Sequence, residues 1–97
     1  MIESFGSKAT EDIFHGSNTR DARSIPQALL GVAARKLDLI NAAGVLSDLA
    51  SPPGNRLEAL KGSLAGFHSI RINDQYRIVF KWKGLGAASV QILDYHK

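Results

Sequence analysis

The 97-residue chain contains no cysteine. That excludes a disulfide framework, a thiolate metal site and a thiol nucleophile. Its three histidines, His15, His68 and His96, are scattered, and no two stand at the i, i+4 spacing of a helical metal pair. No apolar run approaches the roughly 18 residues of a membrane span. The N-terminus "MIESFGSKATEDIF" lacks the basic-then-apolar order of a secretory signal. Internal repeats and low-complexity tracts are also missing. These absences lead us to expect one cytoplasmic domain over 1–97, with no membrane contact, cofactor or metal, and large enough to build a core without staples.

What is present is unevenly charged. From Arg56 onward there are seven basic residues against three acidic, a net +4, whereas residues 1–55 carry five basic and six acidic, a net −1. A positive field confined to one half suits a polyanion such as nucleic acid, although a solvated basic surface would look the same.

The chain reads as a short apolar start and then two helices. "MIESF" is expected to form an N-terminal strand. Ser7 stands as an N-cap before "KATEDIFH", and Gly16 stands where that helix should stop, burying Ala9, Ile13 and Phe14. A main amphipathic helix is predicted over 25–43, capped by Ser24 with Pro26 in its first turn. Leu29, Leu30, Val32, Ala33, Leu37, Ile40 and Ala43 form its apolar stripe, with Lys36 among the polar residues, and Gly44 is its expected stop. "VLSDLA" reads as one further turn, and "SPPGN" is the clearest break. After Gly66 the apolar period falls to two, giving three strands joined by turns at "NDQ" and "KGLGA". The order β-α-α-β-β-β indicates an α+β domain with helices on one sheet face and the other face open.

Parity places two arginines on that open face. The apolar residues of strands 67–73 and 76–83 are even-numbered, so the joining loop must hold an odd number of residues. A three-residue loop, Asn73-Asp74-Gln75, pairs Ile72 with Tyr76, Arg71 with Arg77 and Ile70 with Ile78. Arg71 and Arg77 then share the open face, extended by Ser69, Lys81 and Gln91. Like charges directly opposite are destabilising. Two relieving arrangements remain open: a phosphate bridging the guanidiniums, or neutralisation by Asp74, Glu58 or Asp94.

Two further stretches carry groups of catalytic type. "RLEALKG" (56–62), on a turn of helix or a loop, supplies Arg56, Glu58 and Lys61. "LDYHK" (93–97), at the end of the last strand, supplies Asp94, Tyr95 and His96. A carboxylate, an imidazole, a phenol and clustered cations can cleave RNA without a metal. A base takes the ribose 2′-OH proton, cations stabilise the phosphorane, and an acid protonates the departing 5′ oxygen. The bland alternatives are a Glu58–Lys61 pair at i, i+3, edge packing by Tyr95 and a frayed terminus at His96.

The ordered set "MIxSF", "SPPGNRLEALKG", "GxHSIRINDQYRIVF" and terminal "DYH" resembles the HigB toxins of bacterial toxin–antitoxin modules, members of the RelE-like superfamily of ribosome-dependent mRNA interferases. The resemblance spans nearly the whole chain. It implies a small antiparallel sheet with two N-terminal helices. It implies metal-independent mRNA cleavage in the 30S A site by 2′-OH attack. It also implies a HigA-type helix-turn-helix antitoxin, through which alone operator DNA would be bound. By position, Arg77 matches the superfamily's phosphate clamp and Arg71 a second basic position on the same face. Lys61 matches a position that contacts RNA, and Lys81 and Arg56 would support it. Asp94, Tyr95 and His96 match the terminal motif, whose histidine is the acid candidate. Some HigB toxins carry histidine where this chain has Glu58, but the YoeB-type branch has glutamate there, read as the base. Tyr76 stands where many relatives have tryptophan. A relative that binds ribosome and antitoxin without cutting is the second reading. A DNA-binding protein in its own right is disfavoured, because no recognition-helix pattern is visible.

Overall fold

The computed structural model of the chain describes residues 1–95, so His96 lies outside the described residues. Helix α1 is Lys8–Phe14. Ser7 caps it: the residue is extended at φ −148°, and its Oγ accepts the Thr10 N–H at 3.3 Å. Gly16, at φ +72°, ends it in the left-handed region. Ile13 is buried and Ala9 and Phe14 are half-buried. The residue α1 buries completely is polar, Thr10. Its Oγ1 accepts the Ile92 N–H at 2.9 Å, fastening the helix to the sheet.

The second helix is shorter than its apolar stripe. α2 is Leu30–Ala42, and the residues before it form two 3₁₀ turns, Ala22–Ser24 and Gln27–Leu29. Pro26 is the reason. It sits at ψ 132°, outside the helical region, and has no N–H to extend a helix backward. Ser24 is not a cap; its Oγ donates to the Asp21 carbonyl at 2.6 Å. At the far end Ala43 is already extended, and the Gly44 and Val45 N–H groups donate to Asp48 Oδ2 at 2.9 and 3.2 Å. That carboxylate opens the 3₁₀ turn Leu46–Ala50, the further turn expected from "VLSDLA".

Four antiparallel strands make the sheet in the order β1-β2-β3-β4: Glu58–Ala59, His68–Arg71, Tyr76–Lys83 and Gly86–Asp94. β1 falls in the stretch expected as helix or loop. It forms because Glu58 and Ala59 pair with Ser69 and His68, and the Leu60 N–H continues to the Phe67 carbonyl at 2.9 Å. The N-terminal segment is not a regular strand. It makes two isolated parallel bridges to β4, Ile2 with Ala87 and Phe5 with Val90. The ladder beside it cannot run straight, because β4 bulges. Val79 pairs with Gln91 but Lys81 pairs with Ala88, and Ser89 takes φ +53°. The bulge also turns odd-numbered Ala87 into the core beside Val90 and Ile92.

The even-numbered face of β2 and β3 carries Ile70, Ile78 and Phe80, all fully buried. They pack with Ile13 of α1 and with Ala33, Leu37 and Ile40 of α2 in one cluster. Burying each large side chain there contributes about 1.5–3 kcal/mol. Both helices are therefore committed to one face, which leaves the odd-numbered face for other work. Among the described residues, no helix is long and apolar enough to cross a membrane.

Candidate active site

The hairpin register is the one parity requires. Ile70 pairs with Ile78 and Arg71 with Arg77. In the turn, Asn73 Oδ1 accepts the Gln75 and Tyr76 N–H groups at 2.9 and 2.7 Å, which fixes its odd length. The ladder then sets rows across the odd face. Glu58, Ser69, Val79 and Gln91 form one row; Arg71, Arg77 and Leu93 form the next. The centre of this face is closed, since Ser69 and Val79 are buried beneath the longer side chains. The rim carries the charge.

Arg77 organises that centre. Its Nε donates to Ser69 Oγ at 2.7 Å and an Nη2 hydrogen goes to the Arg56 carbonyl at 2.7 Å. Nη2 also pairs with Glu58 Oε1 at 3.1 Å. The Arg77 side chain is only 12% exposed, against 57% for Glu58. Of its five N–H donors, the two on Nη1 make no hydrogen bond among the described residues. Arg56 is itself left-handed at φ +47°, a conformation that costs a non-glycine residue on the order of 1 kcal/mol or more. The bond from Arg77 to its carbonyl helps to hold it there.

Arg71 is paired more loosely. Its Nη2 bonds Asp74, whose side chain is 97% exposed. Carboxylates thus relieve both arginines, Asp74 for one and Glu58 for the other. Glu58 forms its ion pair with Arg77 across the sheet, where the sequence had also left room for a pair with Lys61.

The remaining positions lie around this pair. Arg56 is exposed beside Glu58, and Lys61 is exposed at the start of the 3₁₀ turn Gly62–Leu64. Lys81 holds its Nζ 5.1 Å from the centre of the Phe67 ring, a cation–π contact one row beyond Glu58. Asp94 accepts from Gln75 Nε2 at 3.1 Å, and the Tyr95 N–H donates to the Gln75 carbonyl at 2.5 Å. The Tyr95 hydroxyl is enclosed and has no hydrogen-bond partner among the described residues. His68 belongs to the other face, stacked on Phe80 with ring centres 6.3 Å apart.

Sequence reasoning missed two residues next to this site. Lys36 Nζ donates to Asn55 Oδ1. Asn55 is fully buried, and its Nδ2 donates to the Leu49 and Ser51 carbonyls at 3.1 and 3.2 Å. Lys36 follows Ala33 by three and precedes Ile40 by four, so it borders the buried stripe; that spacing was the available signal. Burial lowers its ammonium pKa from the ordinary lysine value, and the charges of Arg35 and Arg71 lower it further. A separate cavity of about 470 Å³ between α1 and α2, lined by Ile13, Arg23, Gln27 and Leu30 among others, includes none of the site residues.

The fold is that of a small toxin known from two Staphylococcus aureus structures. One is a YoeB–YefM complex, with TM-score 0.61 and 16% identity, covering 100% of this chain and 99% of that one. The other is a YoeB dimer, with TM-score 0.60 and 21% identity, covering 99% and 95%. The sequence is closer to a different branch. Toxin HigB-1 of Vibrio cholerae serotype O1 is 48% identical over 75 residues, 77% of this chain and 78% of that protein. The model of the HigB-like toxin family, described as the RelE-like toxin of the type II toxin–antitoxin system HigB, matches residues 3–96. The chain belongs to that family.

Proposed function

We propose that this toxin is a ribosome-dependent endoribonuclease that cleaves mRNA in the 30S A site and so stops translation. The observation that carries the reading is the arginine pair Arg71–Arg77 on one sheet face with Glu58 ion-paired to it. Arg71 and Arg77 hold the non-bridging oxygens of the scissile phosphate. Glu58 takes the 2′-OH proton, the 2′ oxygen attacks phosphorus, and the P–O5′ bond breaks to leave a 2′,3′-cyclic phosphate. His96 gives its proton to the 5′ oxygen. Arg56, Lys61 and Lys81 hold flanking phosphates, and Tyr95 stacks on or orients a base beside Asp94. The reaction needs no metal or cofactor. A HigA-type antitoxin neutralises the toxin in the bacterial cytoplasm and brings it to operator DNA.

One observation favours a second reading, in which the chain binds ribosome and antitoxin without cutting. Glu58 is already engaged by Arg77, so its carboxylate would have to leave the guanidinium before it could reach a ribose hydroxyl. Mapping mRNA 5′ ends in a translating extract separates the two. Cleavage predicts new ends within A-site codons, abolished by Glu58→Gln and by His96→Ala. Ribosome binding with no new ends would establish the second reading.

A further inference from the structure

We infer that the cavity between α1 and α2 is where the antitoxin docks, through an acidic segment that carries an apolar side chain. The inference rests on the antitoxin reading above and gives it a surface. The cavity, of about 470 Å³, lies in the helical layer, across the sheet from Arg71 and Arg77, and includes none of the site residues. Its size falls among binding pockets, which run to about 300–1,000 Å³. Its floor is apolar: Ile13 of α1, Ala22, and Leu30 and Ala34 of α2. Gln27, Leu30, Gly31 and Ala34 line it at three- and four-residue spacing. It is therefore a groove along one side of α2 and the turn before it, a shape that accepts the side chains of a peptide segment.

The rim of the groove is cationic. Arg23 lines it, and its Nη1 donates to neutral acceptors, the Asn18 carbonyl at 3.4 Å and Asn18 Oδ1 at 3.2 Å. Arg35 stands one turn beyond Gly31. A Cβ added to that glycine would lie 3.6 Å from Arg35 Nη1, which puts a second guanidinium at the groove's edge. Among the described residues neither arginine has an ion pair, and no carboxylate lines the cavity. Of the carboxylates beside the wall in sequence, Asp12 is bonded to Lys8 and Thr19, and Asp21 is exposed with no ion pair to either arginine. An apolar floor under arginines does not suit nucleic acid, which offers phosphates and polar base edges. It suits a peptide: an aliphatic or aromatic side chain fills the floor, and flanking Asp or Glu residues pair with Arg23 and Arg35. A second copy of this chain fits poorly. Its most exposed large apolar side chain, Leu85, follows Lys83 and would bring a cation to a cationic rim. Docking here uses none of the arginines that the RNA reading needs.

The test is the affinity of the full-length toxin for its cognate HigA-type antitoxin, measured with two variants beside the unaltered toxin. Gly31→Phe fills the groove with a ring; the space at its Cβ is ordinary contact distance, and a helical glycine is replaced, so the fold tolerates it. The double variant Arg23→Glu, Arg35→Glu reverses the rim on exposed side chains. Each should weaken antitoxin binding about tenfold or more, the first by excluding the anchor and the second by repulsion. Binding by the unaltered toxin should weaken as salt rises, and the double variant should lose that dependence. Melting temperatures and ribosome binding should match the unaltered toxin in both, because none of these residues lies on the odd-numbered sheet face. Antitoxin affinity unchanged in both variants overturns the inference. So does a loss of ribosome binding with antitoxin affinity intact, which would assign the groove to RNA. A toxin that sediments as a dimer and becomes monomeric in Gly31→Phe, again with antitoxin affinity intact, would assign it to a second copy and also overturn the inference. Failure of the unaltered toxin to bind the antitoxin would overturn the antitoxin reading itself, and the inference with it.

Discussion

Arg77→Ala should unfold this toxin as readily as it disarms it. The side chain makes bonds at 2.7 Å to Ser69 Oγ and to the Arg56 carbonyl, and a pair at 3.1 Å to Glu58. Hydrogen bonds with a charged partner contribute about 1.5–3 kcal/mol each. Two sound ones would give roughly 3–6 kcal/mol if nothing replaced them. Water does replace part of that, because Arg56 and Glu58 are exposed; the Glu58 pair alone contributes about 0–1 kcal/mol. Ser69 is fully buried, and its hydroxyl loses its partner outright. A net loss of about 2–4 kcal/mol follows, enough to lower the melting temperature of a domain this size by roughly 10–20 °C.

Urea unfolding of Arg77→Ala, Glu58→Gln and the double variant measures this directly. Glu58→Gln should lie within about 1 kcal/mol of the parent, and the coupling between the two sites should be equally small. A midpoint for Arg77→Ala indistinguishable from the parent would refute the claim that Arg77 organises the face. The consequence for function is practical. Loss of toxicity in Arg77→Ala alone cannot assign a catalytic role, whereas loss in Glu58→Gln can.

Three further outcomes test how the face is supported. Thr10→Val should cost about 1–3 kcal/mol in urea unfolding, because the Ile92 N–H is left buried without its 2.9 Å acceptor, while Thr10→Ser should cost much less. Gly86→Ala should weaken the N-terminal bridges and speed amide exchange at Glu3 and Ala87, since an added Cβ would lie 2.8 Å from the Met1 carbonyl oxygen. Asp12 bonds the Lys8 ammonium at 2.7 Å and the Thr19 hydroxyl at 2.6 Å, which hold its pKa below the ordinary 3.8. Its folded pKa is the lower one, so its contribution is complete above 3.8 and fades as pH falls through the folded value. Urea midpoints of the parent and Asp12→Asn should therefore converge as pH drops below that range.

Periodicity and parity made most of this architecture legible in advance. The pairing of Arg71 with Arg77 needs only the even-numbered apolar positions and the three residues of the turn. The Ser7 cap and the Gly16 stop are local chemistry, and they hold. The misses have non-local or conformational causes. Pro26 is compatible with a first helical turn but adopts an extended ψ, so the helix begins at Leu30. Glu58 joins the sheet because β2 offers it an edge, which no pattern within "RLEALKG" could reveal. The bulge at Ser89 shifts parity within β4, so alternation alone misplaces Ala87. Lys36 looked like an ordinary polar position because Asn55, nineteen residues on, is what holds it.

The two carboxylate pairs bear differently on the chemistry. The Arg71–Asp74 pair joins a guanidinium to an almost fully exposed carboxylate, an arrangement of small net stability. A phosphodiester, with one charge shared by two oxygens, would replace it at little cost. In the proposed reaction Arg77 would not have to give up its bonds to Ser69 and Arg56 to meet the same phosphate. Nε and Nη2 hold it to the sheet, and the two hydrogens on Nη1, which make no hydrogen bond among the described residues, would meet the phosphate in the proposed reaction. A group anchored on one edge and free on the other is already oriented before RNA arrives, and preorganised donors of this kind stabilise developing charge best. Glu58 is then the part that must move: in the proposed reaction its carboxylate would have to leave the Arg77 guanidinium, 3.1 Å away, and reach the ribose 2′-OH as the phosphate takes its place.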